Sequence, residues 1–246
     1  MTYGQFSDDA QFIWDFTRCV RPNGTHYGTS GKCRKGTEDP YADWEELAKG
    51  NYGKVSKSAD GKSVVKQLLE HNGVKGEFGK YEVPLAIRMG KLGHSPRIHS
   101  VSKDHIEMDL APGKPLWKSY APAEGEGPMT AAQAKKAGAA VLALHKLGFF
   151  HGDAHALQWM VDGDNVKLVD YGLSGKIKSD PTRVLQDLSK WSKIVGWDNP
   201  ELKNDPYFQL ANWTMERYKA IKGQSKAAKE ARAELARMYL DEVASL

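Results

Sequence analysis

The chain has 246 residues, 40% of them hydrophobic, and 35 Lys and Arg stand against 31 Asp and Glu. That is enough for one large domain or two lobes, and it excludes a wholly disordered chain. A net charge of +4 suits an anionic ligand such as a nucleotide but gives no specific signal for nucleic acid.

No apolar run approaches the roughly 20 residues of a membrane helix. The opening MTYGQFSDDAQF lacks a basic region followed by an apolar one, so no secretory signal is expected. Cys19 and Cys33 are the only cysteines. They form no disulfide framework, and a cytoplasmic protein is expected.

Residues 1–44 are dense in Gly, Pro, Thr and Asn and read as a loop-rich extension. GTSGKC within it departs from GxxxxGK[ST] and follows no apolar strand, so it is not expected to bind phosphate. From Leu47 the pattern sharpens. YGKVSKS and KSVVKQLL flank Asp60-Gly61, a strong hairpin signal. Phe78, Tyr81, Leu85 and Met89 then recur at helical spacing up to Gly93, with Pro84 inside the pattern as a start or a kink. SPRIHSVS and HIEMDLA read as two further strands.

The second half opens on a helix with a capping box at Thr130 and Gln133, a narrow stripe at Ala134, Ala137, Val141 and Leu144, and a stop at Gly148. HGDAHALQWM follows, then a DGDN turn and the strand VKLVDYG. Helices are expected over 182–196, about 206–222 and about 225–245, the last two with a basic, solvated face. The seven tryptophans are scattered and form no stripe on which bases would stack.

A phosphoryl-transfer site needs a backbone cover and a cation on the phosphates, a carboxylate on Mg²⁺, and a carboxylate facing the acceptor hydroxyl. Each part has a candidate. Gly50, Gly53 and Val55 belong to a glycine turn between two strands. Lys66 follows Val64-Val65, and Glu82, with Glu77 as competitor, lies near the next helix. Asp153 would face the acceptor, and Asp170 ends a strand as the Mg²⁺ ligand. Alternatively, His151, Asp153 and His155 alternate and would share one face of an extended segment, where they could ligate zinc or iron.

HGDAHALQ followed by KLVDYG resembles the catalytic and metal-binding loops of the protein-kinase-like superfamily. That family shows His-x-Asp, a polar residue five positions after the aspartate, a short hairpin, then Asp-Phe-Gly. The HGDxH spelling is more similar to aminoglycoside and choline kinases and to compact bacterial kinases than to eukaryotic protein kinases. VVKQ resembles the family's lysine strand, and MDLAPGKPL resembles its adenine-binding hinge at Met108, Asp109 and Leu110. RPNGTHYGTSGKCRKGTE also resembles a segment of cyanobacterial virus proteins, which bears on a bacteriophage origin and not on activity.

The resemblance spans roughly residues 45–200 and implies an α+β, two-lobed fold. A small β-rich N-lobe would occupy 45–112 and a mainly helical C-lobe 113–246. ATP and Mg²⁺ would be the cofactors, and a protein hydroxyl the acceptor. Lys66 would hold the α- and β-phosphates and Glu82 would hold Lys66. His151 would brace the loop, Asp153 would position the acceptor, and Asp170 and Gln158 would bind the metal. Asp187 would anchor the loop from a buried helix.

Gln158 departs from the family's asparagine by one methylene, and Tyr171 replaces phenylalanine. The first departure leaves open a kinase-like binding protein without strong catalysis. The HGDxH spelling leaves open a small-molecule kinase.

Overall fold

The hairpin expected at Asp60-Gly61 is present. Ser58 Oγ donates to Asp60 Oδ1 at 2.7 Å, the same oxygen accepts from Lys62 N, and Gly61 has φ 69°. The structure is a computed structural model describing residues 41–49, 53–71, 74–75, 77–118, 122–124, 126–196 and 199–246. Gly50 and the segment 1–40 lie outside the described residues.

The chain divides into two compact units, one reaching Lys91 and including Pro96–Leu110, the other formed by Leu92–Ser95 and Ala111–Leu246. The second unit resumes at Ala111, and the tetrapeptide 92–95 also belongs to it. The reason is hydrogen bonding: Lys167 Nζ donates to Gly93 O, Leu168 N to His94 O, and Ser95 Oγ to Leu168 O.

The first unit is an antiparallel sheet with one helix. Its strands are β1 (Glu45–Lys49), β2 (Gly53–Lys57), β3 (Ser63–Leu68), the short pair β4 (Glu70–His71) and β5 (Val74–Lys75), then β6 (Ile98–Val101) and β7 (His105–Asp109). Five of them form one sheet in the order β1-β2-β3-β7-β6, and β4 pairs with β5. β1 is the strand expected before the glycine turn; it lies at the sheet edge, and all five of its residues are exposed.

Helix α1 (Glu82–Lys91) follows β5. It begins later than the periodicity from Phe78 suggests, and Pro84 explains this. A proline is tolerated in the first turn, where the N–H groups have no partner inside the helix, and not further in. Leu85, Ile87 and Met89 of α1 are buried, as are Val65 and Ile106 of the sheet.

The second unit contains β8 (Lys114–Pro115), α2 (Ala131–Lys146), β9 (Phe149–Phe150), β10 (Trp159–Asp162), β11 (Asn165–Leu168), β12 (Gly175–Lys176), α3 (Arg183–Val195), α4 (Pro206–Ala220) and α5 (Lys226–Ser245). The capping box of α2 is formed: Gln133 N donates to Thr130 Oγ1 at 3.3 Å, and Thr130 N to Gln133 Oε1 at 3.0 Å. The buried stripe at Ala134, Ala137, Val141 and Leu144 is at most 1% exposed. Small side chains there let α2 pack closely among α3, α4 and α5, with Gly138 against the Trp191 and Tyr207 rings. No helix among the described residues is long and apolar enough to cross a membrane.

Candidate functional site

Sheet register gathers the first unit's candidates on one face. Val55 pairs with Lys66, Lys66 with Ile106, and Val64 with Met108. Directly opposed residues share a face, as do residues two apart along a strand. Gly53, Val55, Val64, Lys66 and Met108 therefore line the same side of the sheet. Lys66 Nζ donates to Glu82 Oε1 at 2.5 Å, and Glu82 Oε2 accepts from Gly79 N at 3.0 Å.

The Glu82 side chain is 7% exposed and that of Lys66 22%. Glu82, the first residue of α1, is thus the carboxylate that meets the strand lysine, whereas Glu77 is exposed. The nearby Lys57 binds the exposed Glu45 instead, at 2.7 Å. Asp109 faces the other side of the sheet, where its carboxylate meets His99 Nε2 at 2.6 Å. The N–H of Asp109 donates to Arg97 O and that of Leu110 to Lys62 O. Neither is available to a base, so the hinge expectation narrows to the remaining backbone groups of that stretch.

In the second unit the HGDAH segment is a tightly bonded loop between β9 and a 3₁₀ turn, Ala156–Gln158. His151 is fully buried. Its Nε2 lies 3.1 Å from Val169 O, a pure acceptor, so Nε2 carries the proton. Its Nδ1 accepts from Asp153 N at 3.2 Å. Burial, the largest influence, holds this imidazole below its ordinary value and so neutral, against the raising effect of Asp187. Both nitrogens are occupied, so His151 cannot ligate a metal. Among the described residues no three His, Cys, Asp or Glu come together as a metal cage. The zinc or iron alternative at His151, Asp153 and His155 is therefore set aside.

Gly152 explains the HGD spelling. Its φ is 82°, and a Cβ there would stand 2.4 Å from Leu173 O. A side chain at this position would force the loop off the 170s segment. Asp153 remains 28% exposed, with Oδ2 at 3.1 Å from His155 Nε2 and Oδ1 at 2.7 Å from Lys190 Nζ. His155 Nδ1 accepts from Leu157 N, so Nε2 is its donor to the aspartate.

Asp170 has φ 61° and is the one non-glycine residue at positive φ among the described residues. It is exposed, and its Oδ1 accepts from Gly172 N at 3.3 Å. Holding a β-carbon in this region costs of order 1 kcal/mol, and such strain gathers at functional sites. Tyr171 beside it is buried, with its ring centroid 5.0 Å from that of His151. Gln158 is half-buried, and its carbonyl accepts from Val169 N at 3.0 Å, so its backbone is tied to the strand that leads to Asp170.

Asp187 anchors the loop as expected. Its Oδ2 accepts from His151 N at 2.6 Å and its Oδ1 from Gly152 N at 2.9 Å. Burial works to raise this carboxyl, but the hydrogen bond from His145 and the backbone N–H of His151 outweigh it and hold it below its ordinary value. Behind it, His145 Nε2 lies 3.4 Å from Asp187 Oδ2, Tyr239 Oη 2.7 Å from His145 Nδ1, and Tyr207 Oη 3.1 Å from Tyr239 Oη. Donors then run in one direction, Tyr207 to Tyr239 to His145 to Asp187.

No protein-family model matches this chain, and no curated protein matches its sequence. Its chemistry therefore stands on the residues themselves. The first unit presents a lysine held by a buried carboxylate on one sheet face. The second presents two partly exposed carboxylates, Asp153 and Asp170, on loops with rigid backing. An exposed aspartate such as Asp170 is the kind of ligand Mg²⁺ takes, since the ion commonly binds one or two carboxylates and completes its octahedron with water and phosphate.

Sequence reasoning missed Lys190, Ser95 and the Tyr239–His145 link. Only Lys190 left a local sign, its spacing of three residues from Asp187 on a helix.

Proposed function

We propose that this chain is an ATP- and Mg²⁺-dependent phosphotransferase with a two-lobed, protein-kinase-like fold, acting on a hydroxyl acceptor. The observation that carries the proposal is the Lys66–Glu82 pair. A sheet lysine meets a buried helix carboxylate at 2.5 Å, in the chain order glycine turn, lysine, helix glutamate, HGD, DYG. Such a lysine–glutamate pair, together with a metal-binding aspartate, is what this reaction class requires for catalysis.

Bound Mg·ATP would supply the phosphoryl group and the cation that neutralises its oxygens. Lys66 would hold phosphate oxygens, kept in place by Glu82. Asp170 would hold the metal, with the Gln158 amide as a second ligand. Asp153 would orient the acceptor hydroxyl and accept its hydrogen bond, while neutral His151 braces the backbone between the two aspartates. The acceptor we favour is a protein hydroxyl, because the segment after Asp187 is short and basic, with Lys219 on α4, Lys226 and Lys229 on α5, and Lys222 between them.

The test is incubation with γ-labelled ATP, Mg²⁺ and a bacterial lysate, with Asp153→Ala alongside. Label on one protein band, absent with the variant, supports a protein kinase. Label in a small metabolite moves the acceptor to a small molecule. No label with wild type leaves a nucleotide-binding or interaction protein instead.

A further inference from the structure

Asp187 and Lys190 stand one helical turn apart on α3, on the same face. Between them they make four hydrogen bonds to three consecutive residues. Asp187 accepts from His151 N and Gly152 N at 2.6 and 2.9 Å. Lys190 Nζ donates to Gly152 O at 2.8 Å and to Asp153 Oδ1 at 2.7 Å. One turn of helix thus takes the donors and the acceptors of the same tripeptide, with a carboxylate for the N–H groups and an ammonium for the oxygens.

We propose that Lys190 is a positioning residue for Asp153, resting on the phosphotransfer reading above. A bare surface ion pair would not support this, since exposed pairs contribute little and rarely fix a rotamer. Here the ammonium is bidentate and anchored on a backbone carbonyl that the neighbouring Asp187 contact already immobilises. The cation therefore sits at a fixed point, and the Asp153 carboxylate is drawn to it. His155 Nε2 holds the other oxygen at 3.1 Å, so both χ angles of Asp153 are determined from opposite sides. The lone pairs not used by Lys190 and His155 are then left facing outward for the acceptor.

The experiment compares full-length wild type, Asp153→Ala, Lys190→Met and Lys190→Ala in the labelled-ATP assay, with melting curves for each. Lys190→Met keeps the length of the side chain and should lower kcat about 100-fold, the scale of an ångström of misplacement at a reacting group. The KM for ATP and the nucleotide-induced rise in melting temperature should stay at wild-type values, because Lys190 is not assigned to the nucleotide. Methylammonium added to Lys190→Ala should restore activity in a saturable way, and should do nothing for Asp153→Ala. A purely structural lysine would give a lower melting temperature without such rescue.

If wild type transfers label and Asp153→Ala does not, the phosphotransfer reading stands. In that case a Lys190→Met rate within about threefold of wild type, a loss carried by the KM for ATP, or no recovery with methylammonium overturns the assignment of Lys190 alone. If wild type transfers no label, or Asp153→Ala matches it, the reading and this inference fall together.

Discussion

The Tyr171 hydroxyl lies 2.5 Å from the Ser95 hydroxyl, and both side chains are buried. Ser95 Oγ spends its hydrogen on Leu168 O at 2.7 Å, so Tyr171 is the donor of the pair. A phenylalanine at 171 could not make this bond. The tyrosine thereby ties the Asp170 turn to the segment 92–95, and burial pushes its phenol far above the ordinary value, keeping it a donor at all working pH.

Tyr171→Phe should cost about 1 kcal/mol, the usual net worth of one hydrogen bond plus a partly orphaned acceptor. Ser95→Ala should cost a similar amount, and the double variant less than the sum, because the two share one bond. Chemical denaturation of the four proteins measures this. Under the proposed function, Tyr171→Phe should also raise the Mg²⁺ concentration for half-maximal rate, since the Asp170 turn loses a tether.

Lys66→Ala should lower phosphoryl transfer about 100-fold or more, the range seen when one electrostatic contact to a reacting group is removed. The fold should survive, because Glu82 keeps its bond from Gly79 N. Steady-state kinetics with a melting curve decide it. A variant with near wild-type activity would move the role to Lys54, Lys57 or Lys62.

Asp187→Ala strips the partners from two buried backbone N–H groups and from His145, and should destabilise by about 3 kcal/mol. Asp187→Asn keeps one acceptor oxygen and should lose less. Tyr239→Phe removes the donor to His145 and should lose about 1 kcal/mol. Urea denaturation ranks the three.

His151 and Asp187 give the stability a defined pH dependence. His151 has a folded value below its ordinary 6.5, so the unfolded chain binds more protons in the window between the two. Its contribution is complete above about pH 6.5 and declines as the pH falls through that window. Asp187, held below 3.8, keeps its contribution until more acid pH and loses it only as pH falls through its folded value. Melting temperatures from pH 8 to pH 4 should fall first near the histidine window. His151→Gln should flatten that first decline.

Gln158→Ala should raise the Mg²⁺ requirement and lower the rate, because one amide oxygen of the octahedron passes to water. Gln158→Asn should keep or raise the rate and lower the requirement. Magnesium titrations of the three proteins test this, and identical curves for wild type and Gln158→Ala would leave Asp170 as the metal's only side-chain ligand.

Local chemistry made much of this protein legible in its sequence. The Asp60-Gly61 hairpin, the Thr130–Gln133 capping box and the start of α1 at Glu82, with Pro84 in its first turn, are each decided by residues within a turn of one another. Backbone hydrogen bonds at that range depend little on what packs elsewhere. Of the two glutamates the sequence offered, Glu82 and not Glu77, which lies nearer the turn at Gly76, meets Lys66.

Tertiary structure alone decided the support of the two aspartates. Lys190 reaches Asp153 across 37 residues, Ser95 reaches Tyr171 across 76, and Tyr239 reaches His145 across 94. Lysine, serine and tyrosine are ordinary surface or core residues in any linear pattern, and a hydrogen bond between distant segments leaves no period in the chain. The crossing of residues 92–95 into the second unit was hidden for the same reason. What holds them is pairing with a neighbour brought near by folding, and not the apolar spacing by which a sequence announces its elements.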